Sequence, residues 1–83
     1  MNKEIILSNL REAHEELTDT IKDLETKPDY DFGDFMVPMM HIFHHLNFAW
    51  NIRDVDTEKY ANLSDADYKK WEKYPKDFDQ YFE

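Results

Sequence analysis

The sequence predicts an all-α protein: a helical hairpin of two long antiparallel helices plus a short C-terminal helix. Only one glycine and three prolines interrupt 83 residues, which favours long helices over the frequent turns of a β-fold. Apolar residues also recur at intervals of four and three along two segments, the spacing of one face of an α-helix. We therefore expect a single helical domain over residues 1 to 83.

The first helix is predicted over residues 3 to 26. Its apolar stripe consists of Ile6, Leu10, Ala13, Leu17, Thr20 and Leu24. Acidic side chains cover the opposite side, as in an amphipathic helix that buries one face. Lys27 and Pro28 end the helix, because a residue that precedes proline is pushed out of the α region.

The second helix is predicted over residues 32 to 54. Its main stripe consists of Phe32, Met36, Met39, Phe43, Leu46 and Trp50. Pro38 is expected in the first turn, where a missing N–H costs little. Apolar or weakly polar residues cover almost every other side, and such a helix is normally buried on more than one face. We expect both the C-terminal segment and a second copy of the chain to cover it.

A short third helix is predicted over residues 65 to 74, with a tail over residues 75 to 83. Ser64 is the expected N-cap, acidic residues follow it in the first turn, and Pro75 ends the helix. The many aromatic residues of this part of the chain are expected to cover the core.

The charge of the chain narrows the classes of partner. Nineteen acidic residues oppose ten basic ones, a formal net charge of −9, and each third of the chain is net acidic. Counted in this way the sequence shows no basic patch, so we expect neither nucleic acid nor an anionic membrane as a direct partner. The N-terminal residues lack the unbroken apolar run of a signal peptide, which predicts a cytoplasmic protein.

The size of the chain predicts self-association. A domain of 83 residues buries a small core, and without cysteine it has neither disulfides nor thiolate metal sites to supplement it. We therefore expect a homodimer whose two hairpins complete a four-helix bundle. The predicted function is a non-catalytic binding or scaffolding module for a protein partner that the sequence does not identify.

The stretch HIFHHLNFAWN holds three of the four histidines of the chain. His41 and His45 lie one turn apart on one face, and two histidines at this spacing can chelate zinc or another divalent metal. Ile42 stands where an HExxH enzyme has the glutamate that activates a water. A metal-binding protein is therefore one alternative, with His44 or His14 as a further ligand, and no other cofactor is expected.

The stronger interpretation of the same stretch is a polar seam at a crowded helix interface. Hydrogen bonds between imidazole and amide groups in such a seam fix the register of the helices at some cost in stability. Histidine pairs without cysteine or a nearby acidic residue in the sequence are weak indicators of zinc. The residues predicted for the seam are His41, His44, His45, Asn47, Trp50 and Asn51.

The segments LREAHEELTDTIKDL and MMHIFHHLNFAWNIRD resemble the first two helices of the DinB/YfiT-like bundles, over residues 3 to 54 at most. This resemblance implies a four-helix protein that binds a metal through three histidines, one from the second helix and an HxxxH pair from the fourth. The chain has no histidine after His45, so only a single second-helix ligand, His41, His44 or His45, is implied. The stretch HHLNFAWNIRD is also similar to the core of small bacterial proteins without an assigned activity.

A third alternative is an acidic mimic of DNA that occupies a basic protein surface. A compact protein with a large negative charge can imitate the phosphate array of a duplex in its long-range field. The expected carriers of that charge are Asp29, Asp31, Asp34, Asp54 and Asp56.

Overall fold

The computed structural model describes residues 1 to 81, and the regular secondary structure of this part of the chain is helical. The elements are α1 (Lys3–Thr26), α2 (Phe32–Asn51), α3 (Thr57–Ala61), α4 (Asp65–Trp71) and a 3-10 turn (Lys76–Gln80). No strand is present within the described part of the chain. The prediction of an all-α fold with two long packed helices and a shorter C-terminal helix is confirmed. Residues 82 and 83 of the predicted tail lie outside the described residues.

The element boundaries differ from the prediction in the C-terminal half. The second helix ends at Asn51 and not at residue 54, and α4 ends at Trp71 and not at residue 74. The helix α3 was not predicted. Its N-cap is Asp56, whose side chain accepts a 2.7 Å hydrogen bond from the backbone N–H of Lys59. A helix of five residues is too short to show an apolar period, so only the cap marks it in the sequence.

The two long helices pair antiparallel through small and polar side chains. Asn9 of α1 contacts His45 of α2, and Glu16 contacts His41 one to two turns further on. Small side chains let the two backbones run close together. The residues buried along this seam are Asn9, Ala13 and Thr20 of α1 with Ile42 and Ala49 of α2.

The apolar core lies at the end of the hairpin that meets the C-terminal segment. Phe48 and Ile52 are the largest fully buried side chains and form a cluster with Ile5. The partly buried residues packed against them are Val55, Tyr60, Leu63 and Trp71. Between residues 14 and 41 only Thr20 is buried, so the loop end of the hairpin has almost no core within one chain.

The start of α2 is held by side chains that compensate for a proline. The expectation that Pro38 lies in the first turn is wrong, because α2 begins at Phe32 and Pro38 lies inside it. Proline has no N–H for the carbonyl four residues earlier, here that of Asp34. The Tyr30 hydroxyl donates to this carbonyl at 3.1 Å, and a capping box between Asp31 and Asp34 fixes the first turn.

The hairpin gives the chain an elongated shape. Its extents are 43 × 33 × 23 Å and its radius of gyration is 14.8 Å, whereas a compact domain of this length has a radius of gyration of about 12 Å. The accessible surface is 6552 Å², against about 5,300 Å² for a typical folded monomer of this mass. The chain therefore exposes roughly 1,200 Å² more surface than its size requires.

Candidate functional site

The histidines of α2 line an open groove on one side of the hairpin. This cavity has a volume of about 800 Å³, and its wall is completed by residues of α1, α4 and the segment after α4. Its lining residues are Glu12, Glu16, Met40, His41, Phe43, His44, His45, Tyr68, Glu72 and Lys73. The rings of His44 and His45 contact each other edge to face, with centroids 5.3 Å apart, and each of the three imidazoles has its own hydrogen-bond partner.

His45 is tied to a buried amide of the first helix. Asn9, which is 3% exposed, donates from Nδ2 to the carbonyl of Ile5 at 3.1 Å and to the Tyr60 hydroxyl at 3.4 Å. Its Oδ1 therefore accepts, and the His45 Nδ1–H donates to it at 3.1 Å. Asn9 thus links α1, α2 and α3, and the sequence analysis did not single out this residue.

His44 packs between aromatic rings and an acidic residue. Its ring stacks on Phe48 with centroids 4.5 Å apart, the Tyr68 hydroxyl lies 3.3 Å from Nε2, and a Glu72 oxygen lies 3.8 Å from Nδ1. Burial lowers the pKa of His44, and the neighbouring His45 lowers it further, while Glu72 opposes the shift. The neutral ring, with Nε2 accepting from Tyr68, is therefore the favoured form.

Metal ligation by these histidines has little geometric support. Within residues 1 to 81, no group of three or more His, Cys, Asp or Glu side chains is placed to hold a metal ion. His41 Nδ1 lies 3.1 Å from a Glu16 oxygen, and its side chain is 57% exposed. His14 is exposed and precedes Glu16 by two residues, so it points to nearly the opposite side of α1. Of the four predicted ligands, His41, His44 and His45 line the same groove and His14 does not.

Two asparagines of the predicted seam close the end of α4. The Asn47 amide donates to the carbonyl of Glu72 at 2.8 Å. The Asn51 amide donates to the carbonyls of Trp71 and Lys73 at 2.8 and 2.9 Å. The last carbonyls of a helix have no partner inside it, so these side chains cap α4 and attach it to α2.

Trp50 joins the same seam to the segment after α4. Its Nε1 donates to the Asp77 carboxylate, with both oxygens at 3.1 Å. The Arg53 guanidinium lies 4.0 Å from the Trp50 ring centroid and 3.7 Å from Asp77. The polar seam thus connects α2 to other elements of the same chain.

A large apolar surface remains open on the side of the hairpin away from the histidine groove. We call it the apolar face and define it by Leu10, Leu17, Ile21 and Leu24 of α1 with Phe32, Phe35, Met39 and Leu46 of α2. Leu10 and Leu46 line one shallow cavity with Ile6 and Ala49, so the two helices present these side chains to the same side. Leu17 is 41% exposed, Ile21 54% and Phe32 80%. Neither long helix is apolar enough over its length to cross a membrane.

A basic cavity, which the sequence analysis missed, lies beside α4. It has a volume of about 570 Å³, and four lysines are among its lining residues. Counting charge over thirds of the chain averages these lysines with nearby acidic residues, which is why no basic patch was predicted. The lysines are Lys69, Lys70, Lys73 and Lys76.

The aspartates expected to imitate DNA are exposed and lie in two groups near the two ends of α2. Asp31 and Asp34 belong to the capping box of α2, and Asp56 caps α3. Asp54 lies 3.6 Å from the N-terminal amine. The length of α2, 20 residues or about 30 Å, separates Asp29, Asp31 and Asp34 from Asp54 and Asp56.

Comparison with known proteins found no relative of this chain. No protein-family model, curated protein or solved structure matches the chain. The resemblance of residues 3 to 54 to the DinB/YfiT-like bundles stays a prediction from the sequence.

Proposed function

We propose that the protein is a non-catalytic homodimeric binding module, in which two hairpins pack their apolar faces together as a four-helix bundle. The observation that carries this proposal is the apolar face, where seven of the eight defining side chains are exposed and Met39 is half-buried. Monomeric proteins rarely expose contiguous apolar patches of more than a few hundred Å². A surface of this kind marks a place of association.

The dimensions of the face suit a second hairpin. A helix of 24 residues is about 36 Å long and about 10 Å in diameter. Two such helices packed about 8 to 10 Å apart present a face roughly 18 Å wide, with an area on the order of 600 Å². A specific interface buries about 800 Å² per partner, so the face and its rim are large enough. The expanded radius of gyration, 14.8 Å, fits a hairpin that is half of a larger core.

The spacing of the exposed residues favours a second copy as the occupant. Leu10, Leu17 and Leu24 are seven residues apart, and so are Phe32, Met39 and Leu46. Heptad spacing of large apolar residues is the pattern by which helices of bundles pack together. Several residues buried between the two helices of one chain are small, namely Ala13, Thr20 and Ala49. The large side chains of the apolar face are therefore left for an outer partner.

The distribution of charge leaves the apolar face available for association in spite of the net charge. The chain carries a formal net charge of −9, which repels two copies at long range. The stretch from Phe35 to Ile52 contains no Asp, Glu, Lys or Arg, so the α2 half of the face is free of charge. Two copies can therefore bury this face while their carboxylates point outward, at distances where salt screens them.

The test compares two substitutions that make the same chemical change on different sides of the hairpin. Leu17→Glu places a carboxylate on the apolar face. Val37→Glu is the control, because Val37 is also exposed and lies nine residues before Leu46, about half a turn round the helix from it. In sedimentation equilibrium, Leu17→Glu should raise the dimer dissociation constant at least about 30-fold, and Val37→Glu should leave it nearly unchanged. Equal effects of the two substitutions would refute the assignment of this face.

A further inference from the structure

The basic cavity beside α4 is the strongest candidate for a ligand site. It lies between α4 and the segment that follows, and its volume of about 570 Å³ is within the range of about 300 to 1,000 Å³ that small-molecule sites have. It shares no lining residue with the apolar face. Its lining residues are Asn51, Ala66, Lys69, Lys70, Trp71, Lys73, Tyr74, Pro75, Lys76 and Asp77.

The cavity is positively charged although the protein is acidic. Within residues 1 to 81, none of the ion pairs involves Lys69, Lys70, Lys73 or Lys76. The acidic residue of the lining, Asp77, already accepts from Trp50 and lies 3.7 Å from Arg53. Its charge is therefore compensated outside the cavity, and the lysine ammonium groups have no anionic partner of their own.

The wall behind the lysines is aromatic and held in position. Trp71 packs against the apolar core, and its backbone carbonyl accepts from the Asn51 amide at 2.8 Å. Pro75 is buried, and Tyr74 packs edge-on against Phe78 with ring centroids 5.8 Å apart. Tyr74 itself is 62% exposed, so an open ring face stands beside the lysines.

We propose that this cavity binds a small phosphorylated molecule that carries a planar ring, of the size of a mononucleotide. A phosphate monoester has about −1.5 to −2 charges near neutral pH, which suits several lysine point charges better than a single carboxylate does. The planar ring would lie against Tyr74, where stacking on an aromatic side chain is favourable for any base. The inference does not depend on dimerisation.

The surrounding charge selects a small anion over a nucleic acid. At physiological ionic strength charges are screened beyond about 8 Å, so a ligand inside the cavity experiences mainly the nearby lysines. A polynucleotide would extend over the rest of a chain with a net charge of −9 and meet carboxylates there. Counterion release requires lysine or arginine along the whole path of the backbone, and this surface does not provide it.

The test is isothermal titration of the full chain with adenosine 5′-monophosphate, inorganic phosphate and adenosine. We expect saturable binding of the mononucleotide, weaker binding of phosphate at the same site shown by competition, and the weakest binding of adenosine. Raising the salt concentration from about 50 mM to about 200 mM should weaken the binding of the mononucleotide. The double substitution Lys69→Gln with Lys70→Gln should raise the dissociation constant of the mononucleotide about tenfold.

A matched control separates a built site from general attraction to lysine. Lys3→Gln with Lys22→Gln removes the same charge from exposed positions of α1 and should leave the affinity unchanged. The proposal fails if the mononucleotide does not bind at millimolar concentration, or if the two pairs of substitutions lower the affinity for the mononucleotide equally. Tighter binding of a short single-stranded oligonucleotide than of the mononucleotide would also overturn it, in favour of a nucleic-acid surface.

Discussion

Asn9 shows how one buried amide organises three elements of this protein. Its two N–H groups and its oxygen are all engaged, by Ile5, Tyr60 and His45. Among residues 1 to 81, no buried side-chain nitrogen or oxygen is left without a partner. Removing one member of such a network exposes the others to the full cost of burial without a hydrogen bond.

Asn9→Ala should lower the free energy of unfolding by about 2 kcal/mol, because it leaves the His45 Nδ1–H and the Tyr60 hydroxyl without their partner. Asn62→Ala is the control, since Asn62 is exposed and its amide donates to the carbonyl of Glu58 one turn earlier. That change should cost no more than about 0.5 kcal/mol. Urea denaturation of both variants measures the difference, and equal costs would contradict the role of Asn9.

The lowered pKa of His44 predicts that the protein loses stability on mild acidification. Its pKa is lowered in the folded chain by burial and by His45, whereas in the unfolded chain it has the ordinary value of about 6.5. The unfolded chain therefore takes up the proton first as the pH falls. The stabilisation is complete above about pH 6.5 and is lost as the pH drops from there through the lowered pKa of the folded state.

Thermal denaturation between about pH 7 and about pH 5 should show this loss, and His44→Gln should reduce it. His14→Gln is the matched control, because His14 is exposed and its imidazole has no hydrogen bond or ion pair within residues 1 to 81. The same pH dependence in the His44→Gln variant as in the unsubstituted chain would show that His44 is not responsible.

At the scale of single elements, α2 depends on contacts that periodicity does not reveal. Apolar spacing predicted both long helices, because a face repeated over five turns is a strong signal. The position of Pro38 inside α2 contradicts the first-turn rule. The carbonyl that the proline leaves open is satisfied by Tyr30, a residue outside the helix, and such a tertiary contact has no signature in local sequence.

Tyr30→Phe should destabilise the chain, because the Asp34 carbonyl loses the hydroxyl that donates to it at 3.1 Å. In a Pro38→Ala background the backbone N–H at position 38 is restored and can donate to the same carbonyl. The cost of Tyr30→Phe should then fall to near zero. A double-mutant cycle in guanidinium chloride tests this, and an unchanged cost would mean that the hydroxyl acts elsewhere.

Around the candidate sites, sequence analysis predicts the elements but not the contacts between them. The stripe of α1 was expected to be buried, yet Leu10, Leu17 and Leu24 remain exposed and only its smaller members, Ala13 and Thr20, are buried. Periodicity identifies a stripe but does not tell which neighbour covers it. Similarly, the spacing of His41 and His45 is compatible with metal binding. In the structure, the register of α1 against α2 places Glu16 beside His41 and Asn9 beside His45, and periodicity does not predict that register.

On the scale of the whole molecule, the chain has two surfaces with different chemistry. The core occupies the end of the hairpin next to the C-terminal segment, and the apolar face extends along the rest. The basic cavity lies beside α4 and shares none of its residues with that face. A dimer formed through the apolar face would therefore leave both basic cavities open, which is the arrangement expected of a module that associates by one surface and binds by another.

The central claim is that a second copy covers the apolar face, and the mass of the unsubstituted protein in solution tests it most directly. Light scattering on the eluting peak of a gel-filtration column gives this mass without assuming a shape, which matters for a chain with extents of 43 × 33 × 23 Å. We predict twice the mass of one chain at micromolar concentration. The mass of a single chain, unchanged as the concentration rises to the millimolar range, would contradict the account.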